Sequence, residues 1–268
     1  MSIAEWRYIQ SIHEPKEVRN PDTFVHHFLS LMSRWRCAWM GRKTLAALRA
    51  KPFYYYLAAR TKYYDEVFLQ AIANKVGHIV NVGCGSDTRS YRFASELRQN
   101  GVHVLECDQL KSISDKQRIV NRCGAFGHVS YLSIDLNDES WPDFETWIRN
   151  NCTAQTLVLM EGVSPYIQAD AFKRFLLLLK QRLQVGSRIA YDFKVRGVAD
   201  GFGQGGRTSD PFRLALKKEE ISRYHETLGY RLMHMEGSSD LVRRMLGSHV
   251  GPTRPLFVED GLLQLQIT

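Results

Sequence analysis

The chain has 268 residues, a formal net charge of +8 and a hydrophobic content of 44%. This length suits one large α/β domain with a small helical addition, and the composition is that of an ordinary folded domain, not a disordered or fibrous one. No apolar run approaches the roughly 20 residues that a membrane helix needs, and the positive residues read as scattered, so neither membrane nor nucleic acid is expected as a partner.

The five cysteines (Cys37, Cys84, Cys107, Cys123 and Cys152) form no C-x-x-C pair. An odd number without a recognisable secretory signal points to reduced thiols in a cytoplasmic protein. The nine histidines show no H-E-x-x-H or other ligand spacing, so no metal is expected.

Residues 1–74 read as a helical cap or lid with turns at Pro15, Pro21 and Pro52. Asp22 or Thr23 is placed to cap a helix running through Phe24, Phe28, Leu31 and Trp35. The segment is rich in aromatics, including three consecutive tyrosines, Tyr54, Tyr55 and Tyr56. Successive positions on a regular element face different ways. At least one of the three is therefore expected to meet solvent or a ligand pocket.

Residues 75–268 read as a Rossmann-like unit. His78 to Val82 is a buried strand that runs into Gly83-Cys84-Gly85, and Ser86, Asp87 and Thr88 follow as helix-capping types. Gly83 and Gly85 allow a sharp turn and close approach of backbone to ligand. The third glycine of a dinucleotide fingerprint is missing, because Thr88 stands in its place. Further strands are expected at 102–108, 128–135, 155–161 and 187–193, with a buried helix from Ala169 to Leu183. After a glycine-rich loop at 197–206, which could close over a site, come a helix at 217–228 and strands at 230–235 and 262–267. Strands alternating with helices imply a mostly parallel sheet, whose ligands bind beyond the carboxyl ends of the strands.

Acids collect at those ends. Glu106 and Asp108 compete to accept hydrogen bonds from a ribose, since the strand period puts both on one side. Asp135, followed by Leu136, suits an adenine: the carboxylate accepts from the exocyclic amine and a backbone N–H caps a ring nitrogen. Glu161 suits a cofactor's α-ammonium group.

The runs Asn81-Val82-Gly83-Cys84-Gly85-Ser86-Asp87-Thr88-Arg89, Glu106-Cys107-Asp108-Gln109, Ser133-Ile134-Asp135-Leu136 and Met160-Glu161-Gly162 resemble the successive cofactor motifs of the leucine carboxyl methyltransferase-like family. Ala59-Arg60-Thr61 and Tyr64-Asp65 resemble that family's R-T…D segment, so the likeness covers about residues 53–193. The resemblance implies a seven-stranded class I methyltransferase fold that uses S-adenosylmethionine as methyl donor or as substrate. It places Arg60 on the methionine carboxylate, with Gly83 and Gly85 along the cofactor's path. It favours Asp108 for the ribose and assigns Asp135 and Leu136 to the adenine and Glu161 to the amino group.

The stretch Gly162-Val163-Ser164-Pro165-Tyr166 departs from the family's more apolar sequence, and little chain follows the glycine loop. Both features point to a small-molecule carboxylate or hydroxyl as acceptor, of the kind modified in bacterial secondary metabolism, not to a protein tail. Tyr55, Tyr56 and Tyr166 are the candidate catalytic residues, because an aromatic face stabilises a sulfonium cation. An alternative reading makes the cofactor its own substrate, its amine attacking its own γ-carbon to give azetidine-2-carboxylate and methylthioadenosine. A third reading is a nucleotide-binding module without catalysis.

Overall fold

Four helices precede the first strand: α1 (Ile3–His13), α2 (Leu31–Ala38), α3 (Arg42–Arg49) and α4 (Pro52–Ala73). The computed structural model describes residues 1–198, 208, 210–251 and 256–268. The helix expected from Phe24 through Trp35 is two pieces, a 3-10 turn at Phe24–Phe28 and then α2. Asp22 caps the turn by accepting from the Val25 N–H at 3.0 Å, and Ser30 starts α2 by accepting from the Ser33 N–H at 3.1 Å. A second cap residue within the run is what breaks it.

Strand and helix then alternate through β1 (His78–Val82), α5 (Arg89–Arg92), α6 (Ala94–Gln99), β2 (His103–Asp108), α7 (Leu110–Val120), β3 (Val129–Ser133), α8 (Pro142–Asn151), β4 (Thr156–Met160), α9 (Ala169–Arg182) and β5 (Arg188–Val195). The chain closes with β6 (Arg213–Leu214), α10 (Lys218–Glu226), β7 (Tyr230–Gly237), α11 (Ser238–Leu246) and β8 (Asp260–Ile267). The main sheet runs in the order β3-β2-β1-β4-β5-β8-β7, and the two-residue β6, which the sequence did not suggest, pairs with β5. All contacts among β1 to β5 are parallel, whereas β8 is antiparallel to both β5 and β7. The order reverses between β1 and β4, and this switch point is where an open α/β sheet leaves a crevice for ligand. The glycine-rich loop lies almost wholly outside the described residues.

Two apolar cores sandwich the sheet. One joins Ile79, Leu157, Ala190 and Leu262 to the N-terminal helices and α11, and the other joins Val80, Val158, Ile189 and Leu263 to α8, α9 and α10. In the first core α4 lies between the sheet and the outer helices. Its first half, from Phe53 to Thr61, is buried on every side, while its second half leaves a narrow stripe through Glu66, Leu69 and Gln70 open to solvent. That arrangement overturns one expectation. Tyr54, Tyr55 and Tyr56 are 0%, 8% and 0% exposed, so all three are core. Their rings pack on other aromatics: Tyr54 edge-on to Tyr55, and Tyr56 stacked on Phe257 at 4.7 Å.

Candidate active site

The crevice beyond the carboxyl ends of β1, β2 and β4 holds a cavity of about 460 Å³, lined among others by Gly83, Asp108, Asp135, Leu136, Gly162 and Tyr166. Gly83 has φ +66°, and a Cβ there would lie 2.5 Å from Val163 Cγ2. Only glycine satisfies both the left-handed backbone and the close approach of the β4 loop. The Gly85 N–H donates to Asp108 Oδ2 at 2.7 Å, and the Gln109 N–H donates to Oδ1 at 2.8 Å. The carboxylate is thereby fixed at the cavity wall with lone pairs to spare. Glu106 is one pleat deeper and fully buried. It meets Lys116 Nζ at 2.5 Å and accepts from Ser90 Oγ at 2.6 Å and the Tyr91 hydroxyl at 2.8 Å. Of the two competing acids only Asp108 reaches the cavity.

Asp135 is held in the same way. Its Oδ1 accepts from the Asn137 N–H at 2.9 Å, its Oδ2 from Gln109 Nε2 at 2.8 Å, and its carbonyl from Trp141 Nε1 at 2.8 Å. Asn137 also donates to the Tyr166 carbonyl at 2.9 Å, which ties the adjoining loop to the same wall.

Gly162 and Tyr166 are shared with a second, smaller chamber of about 90 Å³, whose wall includes Arg60, Ser164, Asp192, Lys194 and Asp260. Arg60 comes from the middle of α4. Its Nε donates to Glu161 at 3.1 Å, and its NH1 donates to Asp192 at 3.0 Å and lies 3.9 Å from Asp260. Its NH2 lies beside Gly162, on the wall common to both cavities. Glu161 bridges Arg60 and Arg89, the latter at 2.8 Å, and Arg89 is in turn paired with Asp65 and Asp87. Lys194 Nζ meets Asp260 Oδ1 at 2.7 Å. Burial raises the Asp192 carboxyl most; Arg60 opposes that rise, Asp260 and Glu161 add to it, and the result is about 6. The Asp87 carboxyl moves the opposite way, well below the usual carboxylate range: burial raises it, but Arg89, Lys116 and the Arg89 N–H outweigh that effect.

The structure thus brings Gly83, Asp108, Asp135, Leu136 and Tyr166 together on one cavity and Arg60 onto the next. Glu161 and Gly85 line neither cavity, but each is bonded to a residue that does, Glu161 to Arg60 and Gly85 to Asp108. Tyr55 and Tyr56 line neither cavity; the Tyr56 ring instead packs under the Arg60 guanidinium at 5.5 Å. Asp192, Lys194 and Asp260 were not read as site residues. Asp192 lies near the end of the strand expected at 187–193, which was a usable signal, although β5 itself runs on to Val195. Asp260 was hidden because it starts its strand. Only the antiparallel course of β8, with Asp260 opposite Lys194 in the register, carries it to the carboxyl edge of the sheet.

A sheet of this order, with its glycine turn and successive strand-end acids, defines the class I S-adenosylmethionine-dependent methyltransferase fold. Within that class the chain belongs to the leucine carboxyl methyltransferase family, whose model matches residues 1–179. It is 32% identical over 139 residues to a protein of Mycolicibacterium smegmatis assigned as an S-adenosyl-L-methionine-dependent methyltransferase, covering 51% of this chain and 43% of that one. A similarly assigned protein of Streptomyces coelicolor is 25% identical over 150 residues, covering 56% and 52%. The chain therefore spans about half the length of the curated relatives it matches. Among solved structures, magnesium protoporphyrin IX methyltransferase from Synechocystis, with bound SAH, superposes with a TM-score of 0.51 over 88% of this chain and 99% of that one. At 14% identity that likeness speaks for the fold alone. No helix among the described residues is long and apolar enough to cross a membrane.

Proposed function

We propose that the chain is an S-adenosylmethionine-dependent methyltransferase acting on a small-molecule carboxylate or hydroxyl, of the kind found in bacterial secondary metabolism. The observation that carries this reading is the pair of adjoining cavities, a larger one walled by Asp108 and Asp135 and a smaller, charged one that shares Gly162 and Tyr166 with it. Ser164 and Tyr64 are two of the buried hydroxyls that have no hydrogen-bond partner among the described residues. Ser164 stands in the smaller chamber's wall and Tyr64 is close enough to Asp192 and Glu161 to feel their charge. Buried polar atoms left without partners fit a region that takes a polar ligand.

S-adenosylmethionine, when bound, supplies an electrophilic methyl group on a sulfonium centre. In this reading Asp108 accepts from the ribose hydroxyls, and Asp135 and the Leu136 backbone hold the adenine. Glu161 pairs with the ammonium, and Arg60 reaches the carboxylate through NH2. Tyr166, common to both cavities, offers its ring at the junction where methyl donor and acceptor would meet. Lys194 and Arg60 give an anionic acceptor two cations to lie against, and a carboxylate is already ionised at pH 7, so no base is required. The protein's contribution is mainly proximity and alignment.

The cyclase reading draws on one observation, a chamber of only about 90 Å³ that contains Asp192. An amine that attacks its own γ-carbon must first lose a proton, and a carboxyl poised at about 6 can accept one. Incubation of the purified protein with S-adenosylmethionine, alone and with a panel of small acids and phenols, separates the readings by mass spectrometry. S-adenosylhomocysteine formed only with an added acceptor supports methyl transfer. Methylthioadenosine formed from S-adenosylmethionine alone supports cyclisation and overturns the leading proposal.

A further inference from the structure

The N-terminal segment carries a feature that the site does not use. Of the chain's 36 Lys and Arg residues, eight fall between Thr23 and Tyr64, a stretch with no Asp or Glu at all; the other 28 match the 28 acids elsewhere. The formal excess of +8 thus falls in one stretch of sequence, contrary to the expectation of scattered charge, although Arg49 there pairs with Glu14 and the buried Arg60 with Glu161 and Asp192. In the middle of the stretch, α2 and the residue that ends it turn four large apolar side chains outward: Leu31, Met32, Trp35 and Trp39 are 77%, 75%, 65% and 78% exposed. Leu31, Trp35 and Trp39 recur every four residues and form one stripe, while Cys37 on the opposite side is fully buried. Beside the stripe, Arg34, Arg42 and Lys43 have no carboxylate partner among the described residues, whereas Arg36 is tied to Glu5.

We propose that this face docks reversibly on an anionic lipid surface. Side chains as exposed as these project from the molecule and do not line a groove, so they are shaped to enter a soft interface. Tryptophan favours the headgroup level of a bilayer, aliphatic Leu31 and Met32 favour the acyl boundary just below it, and unpaired cations beside them are drawn to anionic headgroups. A second copy of the chain is the weaker candidate, since an isologous contact would set this positive face against itself. Single-stranded nucleic acid would use the tryptophans but leave the aliphatic half of the stripe without a partner. The inference is independent of the reaction assigned to the cavities.

Co-sedimentation of the full chain with phosphatidylcholine vesicles, with and without phosphatidylglycerol, tests it. The anionic vesicles should bind the chain and the zwitterionic ones should not. Binding should fall roughly tenfold or more both in Trp35→Ala/Trp39→Ala and in Arg42→Ser/Lys43→Ser, and also with added salt. All four positions are exposed, so the melting temperature should stay unchanged and a loss of binding is not a loss of fold. Three results would overturn the proposal: no binding to anionic vesicles; self-association, seen by sedimentation velocity, that the tryptophan variant abolishes; or oligonucleotide binding without vesicle binding.

Discussion

Arg60 on α4 and Asp192 on β5 are joined by an NH1···Oδ2 hydrogen bond of 3.0 Å across 132 residues of sequence, and both side chains are buried. The pair clamps the N-terminal helices onto the carboxyl edge of the sheet at the point where the two cavities meet. Removing one partner of such a pair leaves a buried charge uncompensated, typically at about 3–5 kcal/mol. Arg60→Ala should therefore lower stability by an amount of that order and also weaken S-adenosylmethionine. Thermal melting and calorimetric titration of the same sample would show both effects. A variant with native stability would mean that the clamp is not structural.

The Asp192 carboxyl gives stability a definite pH dependence. Its ordinary value is 3.8 and the folded value is about 6, so between them the folded state holds the proton more tightly than the unfolded state. Stability from this group falls as pH rises from about 4 to 6 and is level beyond. In Asp192→Asn the group cannot titrate. The difference in melting temperature between wild type and variant should therefore move against the wild type over that range. A difference that stays constant from pH 4 to 6.5 would contradict the assignment.

The two acids of β2 should separate cleanly. Asp108→Ala should cost about 1.5–3 kcal/mol in S-adenosylmethionine affinity, the usual worth of a charged acceptor, with little change in melting temperature. Glu106→Ala should instead lower the melting temperature sharply, because Lys116 would be left buried and unpaired. Titration and melting of both variants decide the matter. Equal loss of affinity at native stability in the two would remove Asp108 from the ribose role.

At Gly83 both backbone and space are at stake. Gly83→Ala should destabilise the glycine turn and weaken cofactor binding, since the new methyl meets Val163 Cγ2 at 2.5 Å and the left-handed φ costs roughly 1–2 kcal/mol. Val163→Ala in the same chain removes the collision but not the backbone strain. The double variant should therefore recover part of the lost melting temperature. Full recovery would show that the left-handed backbone is not limiting.

The tyrosines divide by burial. Tyr56→Ala should open a core cavity and cost about 3–5 kcal/mol, whereas Tyr166→Ala, at a residue 41% exposed, should leave stability intact and reduce turnover. Melting curves and product formation rates for the two variants test this. Native turnover in Tyr166→Ala would place the acceptor elsewhere.

The strands and their acids were legible because a parallel sheet writes itself in short apolar runs that end in polar residues. Asp108, Asp135 and Glu161 each close such a run, and Gly83 follows the run that precedes them, β1. The burial of Tyr54, Tyr55 and Tyr56 was not legible, because periodicity describes one helix face and says nothing of what covers the other. The same limit hid α11, which helps to enclose α4. Asp260 escaped because strand direction, which sequence pattern does not report, decides which end of β8 meets the site. The break between Phe28 and Leu31 was available in principle, since Ser30 is an N-cap residue type within an otherwise helical spacing.

The cavity at the ends of β1, β2 and β4 is expected to hold the adenosyl group, with its amino-acid tail directed to Glu161 and Arg60. A crystal structure with S-adenosylhomocysteine tests this most directly. The ribose hydroxyls should lie on Asp108, the adenine beside Asp135 and Leu136, and the tail carboxylate within hydrogen-bond distance of Arg60. Density for the ligand outside this cavity, or a ribose contacting neither oxygen of Asp108, would contradict it.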